Sequence, residues 1–340
     1  MGAPLAMLRM VAARLGWAIV SVWAVVTLAF FLNHGLPADP ARAIAGPQAR
    51  PADVARIRTQ LGLDRSVWVQ YRLFASRLVH PGPKDASANG HASCAAIGPI
   101  HVDLGTSYQR RKPVLRVIAD RFPRTLYLTL AALAVQIAVG VTAGVMAAAR
   151  RHTLWDRGTM TMSLVGISAP TFLVGILLQY VIAYRLRWLP LDGYGRTASE
   201  HVASIVLPAL TLGIVGAAYY ARLVRSDMIE ILRQDFVRTA RAKGLGPIGV
   251  VVGHALRNAL LPLVTVIGLD FGVLIGGAVV TEKLFRWPGV GQLSVDAVFD
   301  RDAPVVLGVV ILTSSAIVLA NLVVDLSYAL LDPRVRDRKS

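Results

Sequence analysis

Arg238-Thr239-Ala240-Arg241-Ala242-Lys243-Gly244-Leu245-Gly246 sets three permanent cations beside two glycines in one short stretch. These residue types do not suit bond-making chemistry. Guanidinium and ammonium groups on a short helix ended by glycine suit docking, because they recognise a polar or acidic surface while the glycine turns the chain sharply. The stretch lies between two apolar spans, so force applied to it by a soluble partner would pass into the bilayer. Asp270 is a candidate of another kind. It falls near the middle of an apolar span, where a carboxylate is costly and functional by default. It either lines a pathway and attracts a cationic substrate, or pairs with a polar neighbour or holds a proton. Gly268, Gly272 and Gly276 recur at every fourth position around it, and Gly140 and Gly144 share that spacing. Such spacing lets backbones approach closely in lipid, either within the chain or at a seam with a second membrane subunit lining a pathway.

Catalytic signatures are missing from the sequence. It has no G-x-x-x-x-G-K-[ST] loop for nucleotide phosphates. It has no G-x-S-x-G elbow either, since Gly166-Ile167-Ser168-Ala169-Pro170 lacks the final glycine and lies within an apolar span. The histidines (His34, His80, His91, His101, His152, His201, His254) lie outside the span centres and form no i, i+4 ligand pair. One cysteine, Cys94, excludes an internal disulfide and a paired-thiol motif. His91, Cys94 and His101 have the chemistry to ligate a metal, haem iron included, but we expect chance clustering and no metal site. Gln136 and Gln179 read as helix–helix hydrogen-bonding residues, and Asn321 and Asp325 as interfacial or packing residues. The chain is therefore expected to be a non-enzyme that binds no cofactor and draws its energy from elsewhere.

The elements that carry these residues follow from hydropathy. Of 340 residues 55% are hydrophobic and 16% charged, against about a quarter charged in a soluble chain. Mean hydropathy is +0.55, which favours a polytopic membrane protein. We expect six spans, at about 11–32, 126–149, 159–184, 204–222, 260–281 and 305–331. The first is too long for a signal-peptide core and lacks a small-residue cleavage site, so it reads as retained. The net charge of +16 flanks the spans and forms no basic face, which argues for anionic lipid and against nucleic acid. Arg222, Arg225, Arg233, Arg238, Arg241, Lys243 and Arg257 crowd one inter-span segment, and Arg334, Arg336, Arg338 and Lys339 crowd the tail. With the amino terminus inside, the basic segments all face the cytoplasm and so do both termini.

The long segment after the first span reads as a helix over 51–61, a second over 66–80 stopped by Pro81, and a flexible insertion over 81–102, rich in Pro, Gly, Ala and Ser. Between the fourth and fifth spans, Met228, Ile229, Leu232 and Phe236 repeat at helical spacing. Gly244 and Gly246 break that helix. Pro247 restarts one that runs to Leu261, and Pro262 enters the next span.

Here the residues resemble a known family. E-A-A-x-x-x-G followed by L-P marks permease subunits of ABC importers, and Arg238-Thr239-Ala240 through Gly244, with Leu261-Pro262 downstream, looks like its dipeptide/oligopeptide/nickel branch. Leu36-Pro37-Ala38-Asp39-Pro40-Ala41, Leu61-Gly62-Leu63-Asp64, Asp103-Leu104-Gly105-Thr106-Ser107 with Pro113-Val114, Trp287-Pro288-Gly289-Val290-Gly291 and Asp325-Leu326-Ser327-Tyr328 through Asp332-Pro333-Arg334 resemble further motifs of that branch, in its order.

The resemblance implies an all-α type I importer permease. Its parts would be an amino-terminal segment and first helix over 1–33, an extracytoplasmic segment over 34–123, a core over 124–331 with a coupling loop at about 223–259, and a tail over 332–340. It assigns the coupling helix to Arg238, Thr239, Ala240, Arg241, Lys243, Gly244, Leu245 and Gly246. It also implies a homologous second permease, two ATP-binding subunits holding ATP and magnesium, an extracytoplasmic binding protein, and a bacterial cell membrane around them. The expected activity is import of dipeptides or oligopeptides by alternating access, with nickel chelates, glutathione or haem as other cargoes. A stand-alone secondary transporter is the rival from another class, disfavoured because the sequence has no apparent inverted repeat.

Overall fold

Long apolar runs punctuated by proline and glycine leave few choices but helix, because lipid offers no partner to an unpaired backbone group. The computed structural model describes residues 3–35, 40–46, 48–82, 93–97 and 99–331. In chain order the helices are α1 (Ala3–Gly35), α2 (Pro40–Ala45), α3 (Pro51–Gln60), α4 (Val67–Leu78), α5 (Val114–Ala119), α6 (Phe122–Ala149), α7 (Leu154–Ser168), α8 (Thr171–Leu178), α9 (Ala198–Ile231), α10 (Asp235–Ala242), α11 (Arg257–Ile275), α12 (Val279–Leu284), α13 (Val290–Phe299) and α14 (Ala303–Leu331). Strands β1 (Val79–Pro81), β2 (Cys94–Ile97) and β3 (Ile100–Asp103) lie between α4 and α5, and π-helical turns span Gln179–Arg185 and Gly249–Leu256. Among the described residues four helices are long and apolar enough to cross a membrane, or six if each of two bent pairs counts as one span. The expected motif at Leu36-Pro37-Ala38-Asp39, His91 and the tail 332–340 lie outside the described residues, and Asp325 is described in its backbone alone.

The chain divides into two compact units, Met1–Pro123 with Gly289–Val318, and Arg124–Pro288 with Leu319–Ser340. In the first, α3 starts with Pro51 and ends before Gly62, whose φ of +68° is open to glycine at low cost. α4 follows Ser66 and packs on α1: Phe30 lies against Tyr71 and Phe74, Phe31 against Trp68, and the Thr27 and Tyr71 hydroxyls are 2.8 Å apart. The helix stops at Leu78, short of the expected His80, because Val79 is extended and opens β1. Segment 81–102 departs further from expectation. Its described residues include two strands, with β3 central and antiparallel to both β1 and β2. Composition hid this, since cross-strand pairing, which stabilises such short strands, leaves little trace in an Ala- and Gly-rich segment.

The core of this unit joins Val114, Val117 and Ile118 of α5 to Val290, Leu293 and Ala297 of α13 and to Val305 and Val309 of α14. The Asp103–Val114 motif forms its lid. Asp103 Oδ1 accepts from the Gly105 N–H at 2.8 Å, the Gly105 carbonyl accepts from Val114 N at 3.0 Å, and Thr106 bridges Pro113. Asp302 closes the lid from below. Its buried carboxylate accepts from the Ser107 hydroxyl and, at 3.0 Å, from Tyr108 N. Burial, and then the Asp302 charge, pushes the Tyr108 phenol above its ordinary pKa. Asp302→Ala should cost roughly 2–4 kcal/mol, because several donors to an ionised acceptor lose their partner. Thermal unfolding of the purified protein checks this, and an unchanged midpoint would refute the anchoring role.

In the second unit α9 is the axis. A capping box starts it: Glu200 N donates to Thr197 Oγ1 at 3.3 Å, and Glu200 Oε2 accepts from Thr197 N at 3.4 Å. Gly140 and Gly144 of α6 sit directly on it. A Cβ at Gly140 would lie 2.5 Å from the Tyr220 Cβ, and one at Gly144 would lie 2.7 Å from the Ala221 carbonyl. That spacing therefore serves packing within the chain. Gln136 of α6 donates to the Leu212 carbonyl of α9 at 3.4 Å, and Gln179 to the Leu191 carbonyl in the loop beyond its own helix at 3.0 Å. The expected span 159–184 is broken. Helix α7 ends at Ser168, Pro170 caps α8, and the two parts bend by 106°. The expected span 260–281 ends at Ile275, where Gly276 and Gly277 stop α11.

Candidate functional site

The basic stretch forms a short projecting helix. α9 ends at Ile231, and α10 begins at Asp235, whose charge complements the helix amino end. The exit is a Schellman motif: the Gly244 N–H donates to Arg241 O at 3.0 Å, and Leu245 N–H to Ala240 O at 3.4 Å. Gly244 has φ +83° and open space around a Cβ, so backbone conformation, not crowding, calls for glycine there. Helix resumes at Pro247, whose missing N–H would be unpaired in a first turn anyway.

The two faces of this elbow differ. Val237, Ala240 and Val250 are buried against one another, with Ile231 and Leu232 packed beside them. Arg238, Thr239, Arg241, Lys243, Gly244, Leu245 and Gly246 are exposed, and so are Phe236 and Ile248, the latter 79%. Arg238 meets Asp235 at 3.3 Å on the surface, a pair worth well under about 1 kcal/mol. The result is a firm apolar base carrying a cationic outer face with isolated apolar side chains, suited to seating in a groove.

One feature near the elbow was not read from the sequence. Arg225 of α9 grips Asp156 of α7 in a fork, Nε to Oδ1 at 2.5 Å and Nη2 to Oδ2 at 2.8 Å. His152 N–H adds a third bond to that carboxylate at 2.9 Å. The Asp156 side chain is 5% exposed and that of Arg225 25%. In the sequence Arg225 reads only as one of the charges that orient the chain. An aspartate at the start of an apolar helix, with an arginine near the end of a neighbouring one, was the available signal. Glu282 was also missed. It is fully buried in α12 and accepts from Thr125 at 3.0 Å.

Asp270 is half-buried in α11 and neighbours the buried Tyr220 of α9. Gly268 lies against Val324 of α14, Gly272 is buried, and Gly276 caps the helix.

These features can be set beside known proteins. Residues 140–337 match the binding-protein-dependent transport system inner membrane component, and residues 7–129 match the N-terminal region described for such membrane components. The chain belongs to this transport family. It is 41% identical over 330 residues to the glutathione transport system permease protein GsiC of Escherichia coli K12 and to that of Salmonella typhimurium LT2, covering 97% of this chain and 99% of each relative. The fold resembles inward-facing structures of the MetNI methionine ABC transporter. One such chain gives a TM-score of 0.53 at 19% identity, covering 65% of this chain and 98% of that one. The permease is thus an all-α membrane component of the ABC importer class.

The Asp156–Arg225 fork should couple α7 to α9. Asp156→Ala should cost roughly 3 kcal/mol, since it leaves a half-buried guanidinium without its partner. Asp156→Ala with Arg225→Ala should cost less than the sum of the single changes. A double-mutant cycle on thermal stability measures the coupling, and strict additivity would mean that the pair does not join the helices.

Proposed function

We propose that this permease forms half of the pathway of an ATP-driven importer of short peptides, and that separate ATPase subunits drive it through the elbow at 235–248. The observation that carries the reading is the Schellman-capped α10, whose apolar side is buried while its cationic side is fully exposed. A helix so held has no use for its outer face within the chain. Partner subunits supply ATP and magnesium. Their closure on nucleotide shifts the elbow, and α9 carries the shift to the spans as the pathway alternates between its two openings. A homologous second permease completes the pathway, and an extracytoplasmic binding protein delivers the cargo. Charge placement supports a six-span arrangement in the cell membrane with both termini in the cytoplasm. The relatives named for glutathione transport support short peptides as cargo, glutathione, a tripeptide, among them.

Proteoliposomes containing the permease pair, ATPases and binding protein test this. ATP-dependent uptake of labelled glutathione or dipeptides is expected, and uptake by this chain alone in an ion gradient would overturn the reading. Gly244→Ala should fold with a penalty of about 1–2 kcal/mol from the left-handed backbone. Gly244→Pro cannot adopt φ +83° and loses the N–H that donates to Arg241. That variant should insert normally yet lose uptake, with cargo no longer stimulating ATP hydrolysis. Uptake at the wild-type rate by Gly244→Pro would remove the coupling role from this elbow.

Asp270→Asn keeps the shape beside Tyr220 but removes the charge. If Asp270 faces the pathway, the variant should discriminate against cationic dipeptides by several-fold while neutral ones pass unchanged. Equal transport of both classes assigns Asp270 to packing.

A further inference from the structure

The small sheet of the first unit assembles three metal-ligating side chains. β3 is its middle strand. The register sets His80 of β1 directly opposite His101 of β3, and Cys94 of β2 opposite Asp103, two residues along from His101. Cross-strand partners and residues two apart share one face of a sheet, so both imidazoles and the thiol rise from the same side. Their ligand atoms lie within 4.8 Å of one another, and Cys94 Sγ is 3.7 Å from His80 Nε2. Tetrahedral zinc, with bonds of about 2.3 Å to sulfur and 2.0 Å to nitrogen, would hold such a pair roughly 3.6 Å apart.

The surroundings orient these ligands. His80 Nδ1 lies 2.9 Å from the Arg77 carbonyl, so Nδ1 carries the proton and Nε2 turns its lone pair toward the thiol. Backbone carbonyls commonly fix metal-binding histidines in this way. His101 is fully buried, its ring seated over Gly82, where a Cβ would come within 2.6 Å of the imidazole.

We propose that His80 Nε2, Cys94 Sγ and one ring nitrogen of His101 bind a single divalent transition-metal ion, zinc by the softness of the set, with a fourth position left for water. On binding, the thiol proton passes to solvent as the metal–sulfur bond forms, and no electron is transferred. The ion staples β1 and β2 across β3, stabilising a sheet too small to bury much apolar surface. This proposal departs from the expectation of no metal site. In the sequence His91 stands nearest Cys94 and His101, but it lies outside the described residues, and strand register brings in His80, which lies beyond the helix end at Leu78.

The test uses the full-length permease, purified in detergent and stripped with a chelator. Zinc alone is titrated against a chromogenic competitor, and cobalt serves as a spectroscopic probe. Wild-type protein should bind one zinc per chain and show a cobalt–thiolate charge-transfer band. Cys94→Ser should lose the band, and both Cys94→Ser and His80→Gln should weaken zinc binding by at least about tenfold. Burial of His101 makes its variants prone to misfolding, so the decision rests on the two partly exposed positions, with a monodisperse elution profile as the folding control. Equal zinc affinity in wild type and both variants, or a cobalt spectrum without the thiolate band, overturns the proposal.

Discussion

Close backbone approach along α9 is the constraint on which the second unit depends. Lipid tails are as apolar as leucine side chains, so helices gain little from burying them against each other and rely on contact distance instead. Gly140 and Gly144 let α6 reach Tyr220, Ala217, Ala221 and Val224, and Gly166 lets α7 reach Ala218. The same helix contributes Tyr220, Val224 and Met228 to the cluster with Ala255, Ala259 and Leu263. A displacement of the carboxyl-terminal end of α9 therefore cannot stay local, because its neighbours touch backbone with few flexible side chains between to absorb the change. The Asp156–Arg225 fork adds a polar joint beyond the glycine contacts, toward the carboxyl-terminal end of α9.

Much of this was legible because the physics is local. Apolar run length marked the spans, Pro51 and Gly62 bounded α3, and Gly244 announced the end of α10. The elbow was legible only in part: Gly244 ends α10 as expected, but the expected continuous helix through Met228, Ile229, Leu232 and Phe236 breaks between Ile231 and Asp235, and Phe236 is exposed where Val237 is buried. What stayed hidden depends on partners far along the chain. Asp302 caps a motif almost two hundred positions earlier, and nothing around it marks it as buried. Glu282 sits in a short helix next to a lysine and reads as surface, yet it is enclosed beside Thr125. The bend at Ala169-Pro170 needed only the restriction that proline places on its predecessor, but a continuous apolar run outweighed it. The sheet escaped because strands this short depend on register, which composition does not encode.

The elbow also has two unequal legs. On the α9 side the helix runs unbroken for 34 residues, with its one internal proline, Pro208, far from the elbow. On the other side the chain passes through a π-helical turn at Gly249–Leu256 and then meets Pro262 inside α11, where the helix bends by 52°. Proline removes one backbone hydrogen bond, and a wide turn weakens its neighbours, so this leg yields more readily under load. Under the proposed coupling role, a push on α10 would therefore be divided. The stiff leg would pass displacement to α6 and α7, while the compliant leg would let α11, and Asp270 with it, change angle relative to Tyr220.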